Sequence, residues 1–296
     1  MNREGARNGT KMKTLKNIGI IAFEKKKQIE ETLKAIVSDE DFEKHRFYLN
    51  RDVFSFKMRG LAQLPARAFL KKIDVLVSFG GDGTFISAAR MVRGTDIPLI
   101  GVNMGSLGFL TDIPASGAAS ALKRIFSGRY TREKRMMFEV TLKRKGKVIA
   151  RDICLNDAVL KGNRLFNLSV HCGTELVSAY NADGLIVSTP TGSTAYSMAS
   201  GGPIVYPTLE CAIITPICSH SLTQKPIVSS IAKPILLRIN DKRAEIMLYI
   251  DGKDNVVVKD GDEIGISRSG FVTTLLKPEE ITYFSLLRKK LHWGSD

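Results

Sequence analysis

The sequence predicts an α/β plus all-β protein: an N-terminal doubly wound, Rossmann-like α/β domain, a C-terminal antiparallel β-sandwich domain and a C-terminal helix packing back. A chain of 296 residues suggests about two domains at roughly 150 residues each. Strand and helix patterns alternate up to about residue 130, and period-two alternation dominates afterwards. The predicted parts are a disordered extension (1–16), the α/β domain (17–130), the β-rich domain (131–278) and a helix (279–296) that returns to the α/β domain.

The α/β prediction depends on short apolar runs separated by helical periodicity. Buried-strand runs are followed by apolar residues at helical spacing, which is typical of a parallel sheet covered by helices. Ligands of such sheets bind outside the carboxyl ends of the strands. The predicted elements are strands at Asn17–Phe23, His45–Asn50, Ile73–Phe79 and Ile97–Val102, and helices around Ile29–Val37, Phe85–Val92 and Ala118–Phe126.

The stretch Ile73–Val92 contains a predicted strand, a glycine turn and a predicted helix. Its strand stops at Gly80-Gly81-Asp82-Gly83-Thr84, and a helical pattern follows without a gap. Backbone amides of such a turn, with a helix N-terminus behind them, favour a phosphate group. An acid at Asp82 is compatible with handling a proton, holding a metal ion or capping the helix.

A second glycine-containing loop, Asn103–Phe109, follows the strand Ile97–Val102. Parallel strands bring their carboxyl ends to one sheet edge. We therefore expect this loop to lie beside Gly80–Thr84.

The second half alternates apolar and polar residues in several segments, with hairpin-like turns at Lys145-Gly146, Asp251-Gly252 and Asp260-Gly261. This pattern predicts mostly antiparallel strands up to about Leu276. Phe284, Leu287 and Leu291 then recur at helical spacing, which predicts the final helix.

Two polar stretches in the β half differ from scaffold sequence. Asn156-Asp157 pairs an amide with an acid in an apolar setting, suited either to reading an adenine edge or ribose hydroxyls or to a plain turn. The segment Asn181–Ser197 breaks from a strand into a hydroxyl-rich glycine turn that ends at Tyr196. This segment could bind a ligand through hydroxyl and amide donors and a ring for stacking. The alternative is a plain Ser/Thr loop that binds no ligand.

Composition limits the classes of ligand and partner that the protein is expected to bind. The formal net charge of +14 allows anionic ligands, but the basic excess forms no long run with interleaved aromatics, so a nucleic-acid partner is disfavoured. No stretch approaches the 18 or so apolar residues of a membrane span, and the N-terminus lacks a signal-peptide pattern. The four cysteines lack C-x-x-C spacing, which favours buried reduced thiols. We expect a cytoplasmic protein without a membrane partner.

Together these motifs resemble the NAD kinase family. The resemblance covers roughly residues 17–292. Its most specific part is D-G-L-I-V-S-T-P-T-G-S-T-A-Y-S at Asp183–Ser197, since glycine motifs such as Gly80–Thr84 also occur in diacylglycerol and sphingosine kinases. The other matching segments are Gly101–Leu110, Asn156-Asp157, Ser200–Pro203, Cys218–Leu222 and Asp251-Gly252.

The resemblance implies phosphorylation of NAD at its adenosine-ribose 2′-hydroxyl by ATP, with Mg²⁺ or another divalent metal cation, in a homodimer or homotetramer. It makes Asp82 the proton acceptor and assigns no metal ligand. The residues that it implies for NAD and ATP binding are Gly80, Gly81, Gly83, Thr84, Phe109, Asn156, Asp157, Asn167, Asn181, Asp183, Thr191, Thr194, Ala195, Tyr196, Ser197 and Lys253. Asp157 departs from many relatives, which carry Glu there.

Two alternative functions are compatible with parts of the pattern. A lipid kinase of the diacylglycerol or sphingosine kinase type would keep Gly80–Thr84 but would not need Asn156-Asp157 or Asp183–Ser197. A dinucleotide sensor without catalysis would keep the binding loops and would have no use for Asp82.

Overall fold

The computed structural model describes residues 15–23, 27–53 and 57–294, without the side chains of 254 and 255. The predicted disorder of residues 1–16 therefore falls almost wholly outside the described residues. The chain divides into two compact units, one comprising Met1–Phe85, Ile97–Arg132 and Leu276–Asp296 and the other Ile86–Asp96 and Glu133–Leu275. This division differs from the predicted 17–130 domain in residues 86–96, which group with the second unit.

The first unit is an α/β fold in which strands and helices alternate. Its strands form a parallel sheet in the order β5-β4-β1-β2-β3, with the short β6 beside β5. The elements up to residue 126 are β1 (Asn17–Ile21), α1 (Lys27–Val37), β2 (Arg46–Asn50), β3 (Leu61–Leu64), α2 (Ala66–Lys72), β4 (Val75–Gly80), α3 (Asp82–Met91), β5 (Leu99–Asn103), β6 (Ile113–Pro114) and α4 (Ala118–Phe126).

The central strands explain why this sheet forms. Ile18, Ile20, Val75 and Val77 are almost fully buried and share one apolar core with the inner faces of α1 and α4. The parallel register pairs Gly80 with Asn103, at the carboxyl ends of β4 and β5. The two glycine loops therefore begin at the same sheet edge, as the sequence predicts.

The second unit is mostly antiparallel β-sheet, and it also contains the part of α3 from Ile86 onward and one short helix. Its elements are β7 (Thr131–Arg144), β8 (Lys147–Cys154), β9 (Asp157–Cys172), β10 (Glu175–Ser188), α5 (Tyr196–Ala199), β11 (Cys211–Ile217), β12 (Ile227–Ser230), β13 (Ile235–Ile239), β14 (Ile246–Ile250), β15 (Lys253–Val258) and β16 (Glu263–Lys277). The last helix, α6 (Tyr283–Leu291), belongs to the first unit.

Strand β9 connects the β-sheet neighbours of the second unit. It pairs with β10 along most of its length, with β14 through residues 158–162 and with β13 through residues 168–172. Along one edge, β9 pairs first with β14 and then with β13. The first residues of β9 lie opposite the end of β14, next to the β14–β15 turn. This pairing brings Asn156-Asp157 close to Asp251.

Helix α6 corrects part of the sequence prediction. It begins after a capping box between Thr282 and Ser285 and buries Tyr283, Leu286 and Leu287. Phe284, which was expected on the packed face, is 59% exposed. The spacing of apolar residues was compatible with burial of either of two adjacent helix faces. The structure buries the face that carries Tyr283.

The four cysteines are free thiols, but only Cys154 is fully buried and Cys218 is exposed. The expectation that all four are buried is therefore wrong for Cys218, which lies just after the end of β11. Among the described residues, no helix is long and apolar enough to cross a membrane.

Candidate active site

The glycine turn of the first unit is hydrogen-bonded within itself and borders a cavity. Strand β4 ends at Gly80, helix α3 begins at Asp82, and the amides of Thr84 and Phe85 bond to the carbonyl of Gly81. A cavity of about 190 Å³ adjoins the turn. Its lining residues are Phe23, Ile29, Phe79, Gly80, Gly81, Thr84, Met104, Gly105 and Ser106.

The glycines of this turn have different reasons for lacking a side chain. A Cβ at Gly80 would lie 2.2 Å from Oγ1 of Thr84, so packing requires that glycine. A Cβ at Gly81 or Gly83 would meet no atom within 4 Å. The fold does not need glycine at those two positions, whereas a group approaching the main chain does.

The Asp82 carboxylate is held by the Asn103–Thr111 loop. It accepts hydrogen bonds from the amides of Phe109 (2.9 Å), Leu110 (3.1 Å) and Thr111 (3.1 Å) and from the Thr111 hydroxyl (3.0 Å). These partners lie outside helix α3, so the alternative of a simple helix cap does not describe the structure. The acid instead organises the neighbouring loop.

Phe109 links that loop to the end of the chain. Nζ of Lys290 in helix α6 lies 4.7 Å from the centre of the half-buried Phe109 ring, within the range of a cation–π contact. Phe109 is absent from the cavity lining given above, and its place beside a nucleotide remains a prediction.

The second unit contains a larger cavity of about 460 Å³, within the usual range for small-molecule sites. Its lining combines acids, an amide, aromatic rings and one lysine. The lining residues are Asn156, Asp157, Val159, Lys161, Ala195, Tyr196, Tyr249, Asp251 and Gly252. Four residues from the sequence prediction, Asn156, Asp157, Ala195 and Tyr196, therefore meet in one cavity.

Asp251 fixes the backbone of this site. Its carboxylate accepts hydrogen bonds from the amides of Leu155 (2.9 Å), Asn156 (2.7 Å) and Asp157 (3.3 Å). The side-chain oxygen Oδ1 of Asn156 is buried without a hydrogen-bond partner among the described residues. An unsatisfied buried acceptor that lines a cavity is suited to a donor from a ligand.

The two acids in this cavity have unusual ionisation. Burial, followed by the negative charge of Asp251, raises the pKa of Asp157 to about 7. Burial also raises the pKa of Asp251, although its three amide donors and the charge of Arg90 oppose the increase. The amide donors make Asp251 the better-stabilised anion, and Asp157 is the acid that retains a proton. Perturbed acids of this kind are typical of functional sites.

Most hydroxyl groups of the segment Ser188–Ser197 serve the fold. Ser188 and Thr189 bond to the carbonyls of Asn156 and Leu155, and Ser197 bonds to Oγ1 of Thr215. These hydroxyl groups are engaged within the protein, and a contact of Ser197 with a nucleotide stays a prediction. Their bonds hold the loop against the Asn156 segment.

Thr191 and Thr194 are also engaged within the protein. Thr191 is buried and lies 3.4 Å from a guanidinium nitrogen of Arg135, and the Thr194 hydroxyl donates to the carbonyl of Thr191. Ala195 and Tyr196 reach the cavity, with the Tyr196 ring 40% exposed.

The other implied binding residues lie away from the cavity lining. Asn181 donates to Asn167 across strands β10 and β9, and both are exposed. Asp183 is half-buried at a register shift in β10, and Nζ of Lys253 donates to Oγ of Ser87 at 2.8 Å. Their contacts with a dinucleotide remain predictions.

Sequence reasoning missed several contributors. Asp251 was predicted in a turn and in a segment matching the family, without a binding role. Lys161 and Tyr249 gave no signal of a place in a cavity. The Asp-Gly turn and its match to the family were the available hints for Asp251. Thr111 gave no signal, because its role depends on contact with Asp82, 29 residues away.

The described residues contain no group of three or more His, Cys, Asp or Glu side chains arranged to hold a metal ion. Among these residues, the protein side chains therefore do not form a multi-ligand metal cage.

An acid in a glycine turn beside a cavity in one unit and a polar, aromatic cavity in the other are the features of a nucleotide-binding phosphotransferase. Two family models match this chain, the ATP-NAD kinase N-terminal domain over residues 20–130 and the ATP-NAD kinase C-terminal domain over residues 155–277. The chain belongs to the NAD kinase family. The comparisons give no support to the lipid kinase alternative.

Curated relatives extend the similarity over most of the chain. An NAD kinase of Geotalea daltonii is 43% identical over 76% of this chain and 80% of its own length. An NAD kinase of Laribacter hongkongensis is 36% identical over 94% of this chain and 97% of its own length.

Two solved structures have the same fold. The structure of yeast NADH kinase complexed with NADH has a TM-score of 0.85 at 25% identity, covering 96% of this chain and 89% of that one. An NAD kinase from Archaeoglobus fulgidus in complex with ATP has a TM-score of 0.68 at 25% identity, covering 93% of this chain and 98% of that one.

Proposed function

We propose that this NAD kinase transfers the terminal phosphoryl group of ATP to the adenosine-ribose 2′-hydroxyl of NAD, giving NADP and ADP. Asp82 accepts the proton of the attacking hydroxyl, and phosphate oxygens of the donor lie against the main chain of the Gly80–Thr84 turn at Gly81 and Gly83. Phosphoryl transfer depends mainly on positioning and charge stabilisation, so one acid and an amide cradle suit the reaction.

The observation that carries this proposal is the open space above Gly81 and Gly83. Neither glycine is required by packing, because an added Cβ would meet nothing within 4 Å. Both flank Asp82, the only acid in the turn. Glycines that the fold does not need, placed around an acid at a strand end, are explained by a phosphate group close to the main chain.

NAD recognition is assigned to the cavity of the second unit. The free acceptor Oδ1 of Asn156 would receive a donor from the dinucleotide, and the Tyr196 ring offers a surface for stacking. Asp157, being partly protonated near neutral pH, can either donate or accept a hydrogen bond there.

The divalent cation enters this proposal as part of the nucleotide substrate. Mg²⁺ commonly keeps several waters and is bound by substrate phosphates with one or two protein carboxylates. Such a cation neutralises charge on the triphosphate. The proposal predicts that EDTA abolishes NADP formation and that Mg²⁺ restores it.

The decisive experiment incubates purified protein with NAD, ATP and Mg²⁺ and measures NADP with an NADP-specific dehydrogenase. The variant Asp82→Asn keeps the side-chain size and removes the basic oxygen. Asp260→Asn, at an exposed turn of the second unit, is the matched control. We expect NADP from the wild type and the control, with turnover by Asp82→Asn reduced by about 10²-fold or more.

The same preparation separates the alternatives. Wild-type turnover by Asp82→Asn would contradict the assignment of Asp82. NAD binding by calorimetry without NADP formation would instead fit a sensor or a different donor, and inorganic polyphosphate in place of ATP tests the latter. A parallel reaction with NADH tests acceptance of the reduced dinucleotide, which the yeast relative binds.

A homodimer or homotetramer in the cytoplasm completes the proposal. Exposed large apolar side chains of the second unit, including Val148, Ile149 and Val257, supply surface for association. Four free cysteines suit a reducing compartment. Light scattering during gel filtration measures the assembly, and a monomer at micromolar concentration would contradict it.

A further inference from the structure

The two oxygens of the Asp82 carboxylate have unequal surroundings. Oδ1 accepts from the Leu110 amide, the Thr111 amide and the Thr111 hydroxyl, at 3.0–3.1 Å. Within the described part of the chain, Oδ2 accepts only from the Phe109 amide, at 2.9 Å. Since a carboxylate has about four acceptor sites in total, Oδ1 is saturated and Oδ2 retains the acceptor capacity.

The Thr111 hydroxyl is itself oriented by Asn103. Nδ2 of Asn103 donates to Oγ1 of Thr111 at 2.9 Å, so the hydroxyl proton points to Asp82. Asn103 is anchored by the amide of Gly105 (2.8 Å) and the carbonyl of Ser106 (2.6 Å). Thr111 is fully buried and Asn103 is 3% exposed. The chain of donors from Asn103 to Asp82 is thus shielded from water.

Gly108 shows how tightly the loop closes around Oδ1. A Cβ at this position would lie 1.9 Å from Oδ1 of Asp82 and 2.3 Å from Oγ1 of Thr111. No side chain fits there without displacing the carboxylate. The close approach therefore fixes Oδ1 on the loop side of Asp82, and the residue as a whole stays partly exposed.

We infer that Thr111, oriented by Asn103, is a positioning residue that fixes Oδ1 of Asp82 and leaves Oδ2 as the atom that accepts the substrate proton. This inference rests on the proposed function. In the reaction, the 2′-hydroxyl oxygen forms a bond to the γ-phosphorus of ATP. The bond from that phosphorus to the β,γ-bridging oxygen breaks, ADP leaves with the electron pair, and the hydroxyl proton passes to Oδ2.

The test replaces the Thr111 hydroxyl while Asp82 stays in place. Thr111→Val removes the donor with little change in volume, and Thr111→Ser retains it. Thr273→Val is the matched control, because Thr273 is also a buried threonine and its hydroxyl contacts the sulfur of Met137. We expect Thr111→Val to lower kcat about tenfold, the usual scale for one hydrogen bond to a charged group.

The pattern across the variants separates positioning from general structure. KM for NAD and ATP in Thr111→Val should change less than about threefold, and Thr111→Ser and Thr273→Val should stay within about threefold of the wild-type kcat. If Thr111→Val folds poorly by thermal unfolding, Thr111→Ala replaces it. Wild-type kcat in the hydroxyl-free variant, equal losses in the Val and Ser variants, or a loss confined to KM would each overturn the inference.

The proposed function can fail separately. If Asp82→Asn turned over like the wild type, the role of Asp82 would be wrong whatever Thr111 did. If Asp82→Asn were inactive and Thr111→Val were fully active, Asp82 would keep its role and only the positioning by Thr111 would be wrong.

Discussion

Asp157 is a buried acid held beside another acid, an arrangement that costs stability. Its side chain is 5% exposed, and the nearby charge of Asp251 adds to the cost of ionising it. Other charged or titratable groups near this cluster are Lys161 in the cavity wall, the thiol of Cys154, and Arg90, whose charge acts on Asp251. A protein would retain such a pair for a ligand rather than for the fold.

The pKa of Asp157 predicts a specific pH dependence of stability. In the folded state it is raised from its ordinary 3.8 to about 7, so between these values the folded protein holds a proton that the unfolded chain has released. Raising the pH from 5 to 8 therefore removes stability from the wild type, by on the order of 2–3 kcal/mol. Asp157→Asn cannot ionise and should lack this loss. Urea unfolding of both proteins at pH 5 and pH 8 measures the difference.

Asp241→Asn is the control for that experiment. Amide hydrogen bonds from Arg243 and Ala244 lower the pKa of Asp241, so its ionisation is complete at both pH values. Its substitution should shift stability equally at pH 5 and pH 8. A wild type and an Asp157→Asn variant with the same pH slope would show that Asp157 is ionised throughout.

Gly81→Ala should separate ligand binding from folding. The site is open and the backbone φ of Gly81 is not positive, so alanine should keep or raise stability, by up to about 1 kcal/mol. Its methyl group would stand where we propose that donor phosphates bind, and KM for ATP should rise about tenfold or more. Thermal unfolding and initial rates on the same sample test both parts. An unchanged KM would move the phosphates away from Gly81.

Gly108→Ala provides the contrasting case. Its methyl group would overlap Oδ1 of Asp82 and Oγ1 of Thr111, so both stability and kcat should fall. The expected destabilisation is about 1–3 kcal/mol, as for overpacked sites. The two glycine loops at this sheet edge therefore differ, because packing requires glycine at position 108 but not at position 81.

At the scale of elements, the hydroxyl-rich turn after β10 works as a rigid support. The buried Ser193 hydroxyl donates to the carbonyl of Val205 (3.2 Å) and accepts from its amide (2.9 Å). Ser193→Ala removes both bonds in a buried place. We expect the free energy of unfolding to fall by about 1–3 kcal/mol, measured by urea unfolding.

Ser221→Ala is the companion for this prediction, since Ser221 is exposed and its hydroxyl pairs with Thr223 at the surface. Its change should stay within about 0.5 kcal/mol. Equal effects of the two substitutions would mean that the Ser193 bonds do not stabilise the turn.

Sequence patterns predicted single elements well where one signal dominated. Helix α4 runs over Ala118–Phe126, as predicted, because its apolar residues follow one face. For the hydroxyl-rich turn, two interpretations stayed open, because residue types cannot reveal that Ser197 bonds to Thr215, 18 residues away. Local periodicity reports which residues are buried, but it does not report their partners.

At the scale of the whole molecule, the order of elements was predictable and the long-range contacts were not. Asp82 and Thr111 are 29 residues apart, and Asp157 and Asp251 are 94 residues apart. Strand alternation alone could not show that β9 changes partners midway and brings Asp251 under the Asn156 backbone. The candidate site depends on these pairings, so the motifs indicated its glycines and Asp82 but assigned no role to Asp251 or Thr111.

The return of the chain end to the α/β unit supplies the last prediction. Nζ of Lys277, at the end of β16, lies 3.1 Å from Oδ2 of Asp112, and both side chains are 3% exposed. Nearby, Arg124 pairs with Glu280. Replacing one member of a buried pair removes its attraction for the other charge, which stays buried, so Lys277→Met should lower the free energy of unfolding by about 3–5 kcal/mol.

Two controls accompany this test: the double variant Asp112→Asn with Lys277→Met, and a variant that breaks an exposed ion pair. Removing both charges should recover much of the loss, because no uncompensated buried charge remains. Arg268→Met breaks the pair with Glu210, whose side chain is 58% exposed, and should cost no more than about 1 kcal/mol. If the Lys277 variant lost no more than the Arg268 variant, the Lys277–Asp112 pair would not be what holds the returning segment, and packing of Leu276 and the inner face of α6 would have to do so.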